Sequence, residues 1–128
     1  MGDLLHNFSR YEVQCSCGCA ASWVIPKLIE KLQHVQDVLG KLMTITGGVR
    51  CEAFNSSIKG SLVLSHMPNE DGMGLAVDIA FTTSKARYEI VDVAIKLFRR
   101  IGIACDHSGN FIHLDVDPSK TQDVIWTY

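Results

Sequence analysis

The sequence predicts an α+β fold, one domain over residues 1–128 built as a mainly antiparallel sheet with two main helices. Three observations predict it. Two stretches carry apolar residues at helical spacing, five short stretches alternate or run apolar with β-branched residues, and the order is helix, strand, helix, hairpin rather than a regular β-α-β alternation. With 128 residues and 47% hydrophobic content, a chain of this size buries roughly two thirds of its unfolded surface in a single core without covalent staples.

Trp23 to Lys41 reads as the first helix: Pro26 suits a first turn, Leu28, Leu32, Val35 and Leu39 share one face, and Gly40 ends it. Met43 to Thr46 is a short strand that stops at Gly47-Gly48. From Cys51 to Met73 periodicity is lost, and Asn55, Gly60, Pro68, Asn69 and Gly72 mark a long loop, of a length that in compact domains is usually functional or disordered. Gly74 to Phe81 is a strand whose Leu75, Val77, Ile79 and Phe81 face the core, while Gly74, Ala76, Asp78 and Ala80 face the other way. Ser84 to Arg100 is the second helix, capped near Thr83 or Ser84, with Ile90, Val91, Ala94, Ile95 and Phe98 buried and Gly102 closing it. Ile101 to Cys105 and Asn110 to Val116 form a hairpin turning at Asp106-His107-Ser108-Gly109, and Val124 to Tyr128 adds an edge strand. Trp126 and Tyr128 are expected to cover the core, with a place beside a substrate pocket as the alternative.

Composition narrows the function classes. Twelve Lys+Arg against fourteen Asp+Glu lack the basic excess that neutralising phosphates requires, so nucleic acid is not an expected partner. No apolar run reaches the ~18 residues of a membrane span, and the start has no basic region followed by an apolar one, so a cytoplasmic protein without a classical export signal is expected. Five cysteines imply no disulfide framework: Cys15, Cys17 and Cys19 crowd together, and Cys51 and Cys105 stand apart. Buried thiols, or one bridge from the cluster to Cys51, are the simplest roles.

The chemistry gathers on the strand faces turned away from the core. Phe111, His113 and Asp115 share such a face on the hairpin's second strand, as Asp78 does on its own strand. If those strands are neighbours, Asp78 and His113 converge among Gly and Ala, and His66 in the long loop supplies a second imidazole. Two histidines and an aspartate with a fourth position for water make a catalytic zinc set; ordinary hydrogen-bonded surface residues are the competing reading of the same spacing.

Ile45-Thr46-Gly47-Gly48-Val49-Arg50-Cys51, then Ser65-His66 with Gly74-Leu75-Ala76-Val77-Asp78, then Phe111-Ile112-His113-Leu114-Asp115 occur in that order. From Phe8 onward the chain resembles the D-alanyl-D-alanine carboxypeptidase-like zinc peptidases, peptidase family M15, whose signatures are Thr-Ser-Gly-Tyr-Arg, Ser-x-His-x-x-Gly-x-Ala-x-Asp and His-x-Asp. That group includes phage endolysins and murein endopeptidases and shares its fold with the hedgehog signalling domain. The resemblance implies that His66, Asp78 and His113 hold one zinc ion and that the substrate is a peptidoglycan peptide with D-amino acids. It further implies that Arg50 binds a substrate carboxylate or the developing charge, and that Asp115 orients a histidine ligand. A monomer working as a phage or prophage endolysin, held in the cytoplasm until released to the wall, is the expected context.

Two positions depart from the family pattern. The interval between His66 and Asp78 is longer than usual, so Met67 to Gly72 reads as an inserted loop; a rigid alignment from Gly74 would instead make Asp71 the ligand. Better known members carry a Glu or His shortly before the last ligand, where this chain has Asn110 and Phe111. Neither accepts a proton at neutral pH, so the base is either unassigned or moved to the hairpin turn, where Asp106 and His107 are the candidate proton-transfer groups and plain turn residues are the competing reading, with Glu70 and Asp71 behind them. The missing base also keeps open a non-enzymatic zinc domain that binds peptidoglycan or a protein.

Overall fold

The computed structural model describes residues 24–41, 43–47, 74–106 and 109–128. Its elements are α1 (Pro26–Leu39), β1 (Ile45–Gly47), β2 (Ala76–Ala80), α2 (Ser84–Ala94), β3 (Arg100–Asp106), β4 (Gly109–Asp115) and β5 (Val124–Thr127). The expected α+β class holds. The five strands form one sheet in the order β1-β2-β4-β3-β5, antiparallel except where β5 pairs with β3 in parallel.

Pro26 opens α1 without a side-chain cap, as suits a residue lacking an N–H, and Gly40 closes it in the left-handed region with its N–H donating to the Gln36 carbonyl. Leu28, Ile29, Leu32 and Val35 are buried along one stripe. Gln36 is buried with them because its Oε1 accepts from the Met43 N–H, which ties the helix end to the approach of β1.

Thr83 caps α2, its Oγ1 accepting from the Ala86 N–H at 3.0 Å. The expected helix to Arg100 is a correction: α2 ends at Ala94, and tightened bonds from the Lys96 and Leu97 N–H groups to the Val93 and Ala94 carbonyls turn the chain. That turn drops Phe98 into the core, leaves Ile95 53% exposed rather than buried, and sends Arg100 into the sheet. Gly102 therefore lies inside β3 and closes no helix.

Both helices contribute to a core laid on one sheet face, where Leu32, Val35, Ile90 and Val93 join Val77, Ile79, Ile101, Ile112 and Leu114. Each large aliphatic side chain so buried contributes roughly 1.5–3 kcal/mol. Residues 116–123 carry the chain from β4 around to the far side of β3. Asp117 accepts from Ser119 N–H and Oγ, Gln122 Nε2 donates to the Asp117 and Lys120 carbonyls, and Asp123 takes φ 60. No helix among the described residues is long and apolar enough to cross a membrane.

Candidate metal centre

Alternation in β2 and β4 builds two surfaces from the same strands. Val77, Ile79, Ile112 and Leu114 fill the core face, so Ala76, Asp78 and Ala80 and, beside them, Phe111, His113 and Asp115 point to the other. The antiparallel register sets Asp78 directly opposite His113. Asp78, His113 and Asp115 are 5%, 4% and 1% exposed.

His113 lies between two carboxylates. Its Nδ1 is 3.0 Å from Asp78 Oδ1 and its Nε2 is 2.7 Å from Asp115 Oδ2. Asp115 is itself fixed, its Oδ1 accepting from Arg100 Nε at 2.8 Å and from the Asp117 N–H at 3.1 Å. Burial is the largest single influence on the His113 imidazole and lowers its pKa; the hydrogen bonds and charges of Asp115 and Asp78 together outweigh it, and the pKa stands above the ordinary histidine value.

Glycine and an aromatic ring shape the surroundings. A Cβ on Gly47 in β1 would sit 2.6 Å from Asp78 Oδ2, so only glycine lets β1 pass this close to the carboxylate. Gly102 pairs with both His113 and Trp126, and a Cβ there would lie 2.7 Å from the indole. Trp126 thus lies over Gly102 of β3, its ring 5.4 Å from that of His113 and 4.8 Å from the Arg100 guanidinium. Neither expected core-covering aromatic joins the core: Trp126 and Tyr128 (6.3 Å) and Tyr128 and Phe111 (5.2 Å) continue along the His113 face.

A family profile described as Peptidase M15 matches residues 6–115. The chain belongs to the peptidase M15 family. No curated protein matches it. The M15 match ends at Asp115, so the 116–123 connection and β5 with Trp126 lie beyond it.

Of the residues expected in the M15 site, Asp78, His113 and Asp115 are brought together. Arg50, His66, His107 and the alternatives Glu70 and Asp71 lie outside the described residues, as do Cys15, Cys17, Cys19 and Cys51. Asp106 ends β3 opposite Gly109, four residues or about 13 Å of strand from Gly102. Cys105 corrects the expectation of buried thiols: it is exposed and accepts from Arg87 Nη1 at 3.3 Å. Among the described residues no group of three or more His, Cys, Asp or Glu is arranged to hold a metal.

The pair that is present nonetheless fits a zinc ion. Bonds of about 2.0–2.1 Å in tetrahedral geometry separate two ligand atoms by roughly 3.3 Å, close to the 3.0 Å between Asp78 Oδ1 and His113 Nδ1. The donor chemistry agrees. A neutral imidazole that donates Nε2–H to Asp115 turns a lone pair on Nδ1 toward the Asp78 carboxylate, a repulsive contact unless a proton or a cation lies between them.

Arg100 and Gly102 escape a reading by sequence, which gives Trp126 a place near the site only as the alternative to covering the core. A helix drawn through Arg100 hides that the hairpin register, extended one step past the Ile101–Leu114 pair, carries Arg100 to Asp115. Among the described residues an apolar cleft of about 290 Å³ is lined by Leu39, Met43, Phe81 and Ile90, and none of Asp78, His113 or Asp115 lines it.

Proposed function

We infer that this M15 chain is a zinc-dependent peptidase that cleaves peptidoglycan stem or crosslink peptides at bonds involving D-amino acids, acting as a phage or prophage endolysin. The observation that carries this reading is the Asp78–His113 pair, 3.0 Å apart and backed by Asp115. His66, Asp78 and His113 hold one zinc ion, and Asp115 keeps His113 oriented. What zinc supplies when bound is Lewis acidity, which makes water acidic near neutral pH and polarises a carbonyl. Arg50 anchors a substrate carboxylate or the charge that develops on the carbonyl, and Asp106 and His107 are assigned the proton transfers. The protein works as a monomer and stays in the cytoplasm until released to the wall.

Purified peptidoglycan is the test substrate. The enzyme should release new peptide termini, identified by mass spectrometry, contain about one zinc per chain, and lose activity on chelation and regain it with zinc. Undiminished cleavage by metal-free protein would overturn the reading. Asp106→Asn and His107→Gln should each lower kcat by about 10²-fold or more if they move the proton.

One observation favours a second reading, a non-enzymatic zinc domain that binds peptidoglycan or a protein. Phe111 occupies a position where better known members carry the base, and its ring packs on Tyr128. Under that reading His113→Ala destabilises the fold and leaves no turnover to lose, whereas in the enzyme it removes turnover first.

A further inference from the structure

Arg100, one residue before core-facing Ile101, shares the face that carries Asp115 and His113. Nε donates to Asp115 Oδ1 at 2.8 Å, Nη1 donates to the Thr121 carbonyl at 2.7 Å, and the guanidinium plane rests 4.8 Å from the Trp126 ring. Its side chain is 11% exposed and that of Asp115 not at all. The other Asp115 oxygen takes His113 Nε2 at 2.7 Å, so Arg100, Asp115, His113 and Asp78 form one continuous line of polar contacts. A carboxylate held at one oxygen by a fixed guanidinium and a backbone N–H cannot rotate, and its second oxygen then dictates which imidazole nitrogen carries hydrogen.

We propose that Arg100 is a positioning residue of the metal centre: by clamping Asp115 it holds His113 with Nε2 as hydrogen donor and Nδ1 turned to Asp78, while Trp126 pins the guanidinium in place. The proposal rests on the zinc reading above. The guanidinium serves Asp115, Thr121 and the indole at once, which a lysine ammonium on a flexible stem cannot do. It also gives the segment beyond the M15 match a task in the site, since Thr121 and Trp126 both belong to that segment.

The test uses the full chain and two readouts: zinc affinity by chelator competition, and the ring ¹⁵N shifts of His113 in metal-free protein at a pH where the ring carries one proton. Wild type should show the Nε2–H tautomer. Arg100→Gln should mix the tautomers and weaken zinc about tenfold, with Arg100→Lys recovering part of the loss. Because Arg100 acts through Asp115, adding Arg100→Gln to Asp115→Asn should weaken zinc no further than Asp115→Asn alone. Wild-type tautomer and affinity in Arg100→Gln, or additive losses in the double variant, would overturn the proposal. If Arg100→Gln does not fold, Arg100→Lys and Trp126→Phe carry the same readouts, and unchanged values in both overturn it equally. A wild type that shows the expected tautomer but takes no zinc defeats the zinc reading and leaves the positioning role standing.

Discussion

The two faces of β2 and β4 are made by alternate residues of the same strands and obey opposite rules. Val77, Ile79, Ile112 and Leu114 are apolar, fully buried and covered by helices, so their contribution comes from area removed from water. Asp78, His113 and Asp115 are almost as buried but polar, and their placement depends on each being bonded to the next. The lesson is a division of labour at one-residue spacing. One face sets stability, and the other sets what the molecule can hold.

The largest test of that division replaces the two proposed zinc ligands that the sheet brings together. Asp78→Ala and His113→Ala should each abolish stoichiometric zinc and cut turnover by at least about a thousandfold, read by metal analysis and peptidoglycan digestion. Leu114→Ala, one residue from His113, should do the reverse: destabilise by about 2–5 kcal/mol in urea unfolding while the folded fraction keeps its zinc affinity. Zinc loss from folded Leu114→Ala would erase the distinction between the faces. Gly102→Ala should fall between these cases, because its Cβ would meet Trp126 at 2.7 Å; a loss of about 1–3 kcal/mol in stability should come with weaker metal binding as the indole shifts off Arg100.

Proton and metal should compete at His113. Its folded pKa is raised in the metal-free protein, so its contribution to stability is complete below the unfolded value of about 6.5 and is lost as pH rises through the folded pKa. Zinc must displace that proton, so affinity should rise with pH over the same window, by up to about tenfold per pH unit. Chelator competition and urea titrations across this range should therefore slope in opposite directions. The smallest effect is expected at Arg99, whose paired bonds to Asp123 at 2.7 Å are solvent-exposed; Arg99→Ala should leave the urea midpoint and zinc affinity near wild type.

Much of this was legible in the chain itself. Period-2 alternation in Val77 to Ile79 and Ile112 to Asp115 separates the apolar residues from Asp78, His113 and Asp115 before any pairing is known, because successive strand side chains must point to opposite faces. Pro26, Gly40 and Thr83 mark helix ends through backbone chemistry that is local to them. The ordered motifs ending in Phe111-Ile112-His113-Leu114-Asp115 carry the family, and the M15 match bears that out.

Tertiary structure decided the rest. Helical spacing continues past Ala94 in the sequence, yet α2 stops there so that Phe98 can enter the core and Arg100 can join β3, a long-range packing demand that local periodicity does not contain. That β5 runs parallel to β3, laying Trp126 on Gly102 beside His113, depends on how residues 116–123 travel around the sheet edge. Within β2 and β4 the sequence by itself determined which residues face which way. Only the folded sheet decided which of them meet, because a cross-strand neighbour is set by register and a residue's own strand neighbours are not.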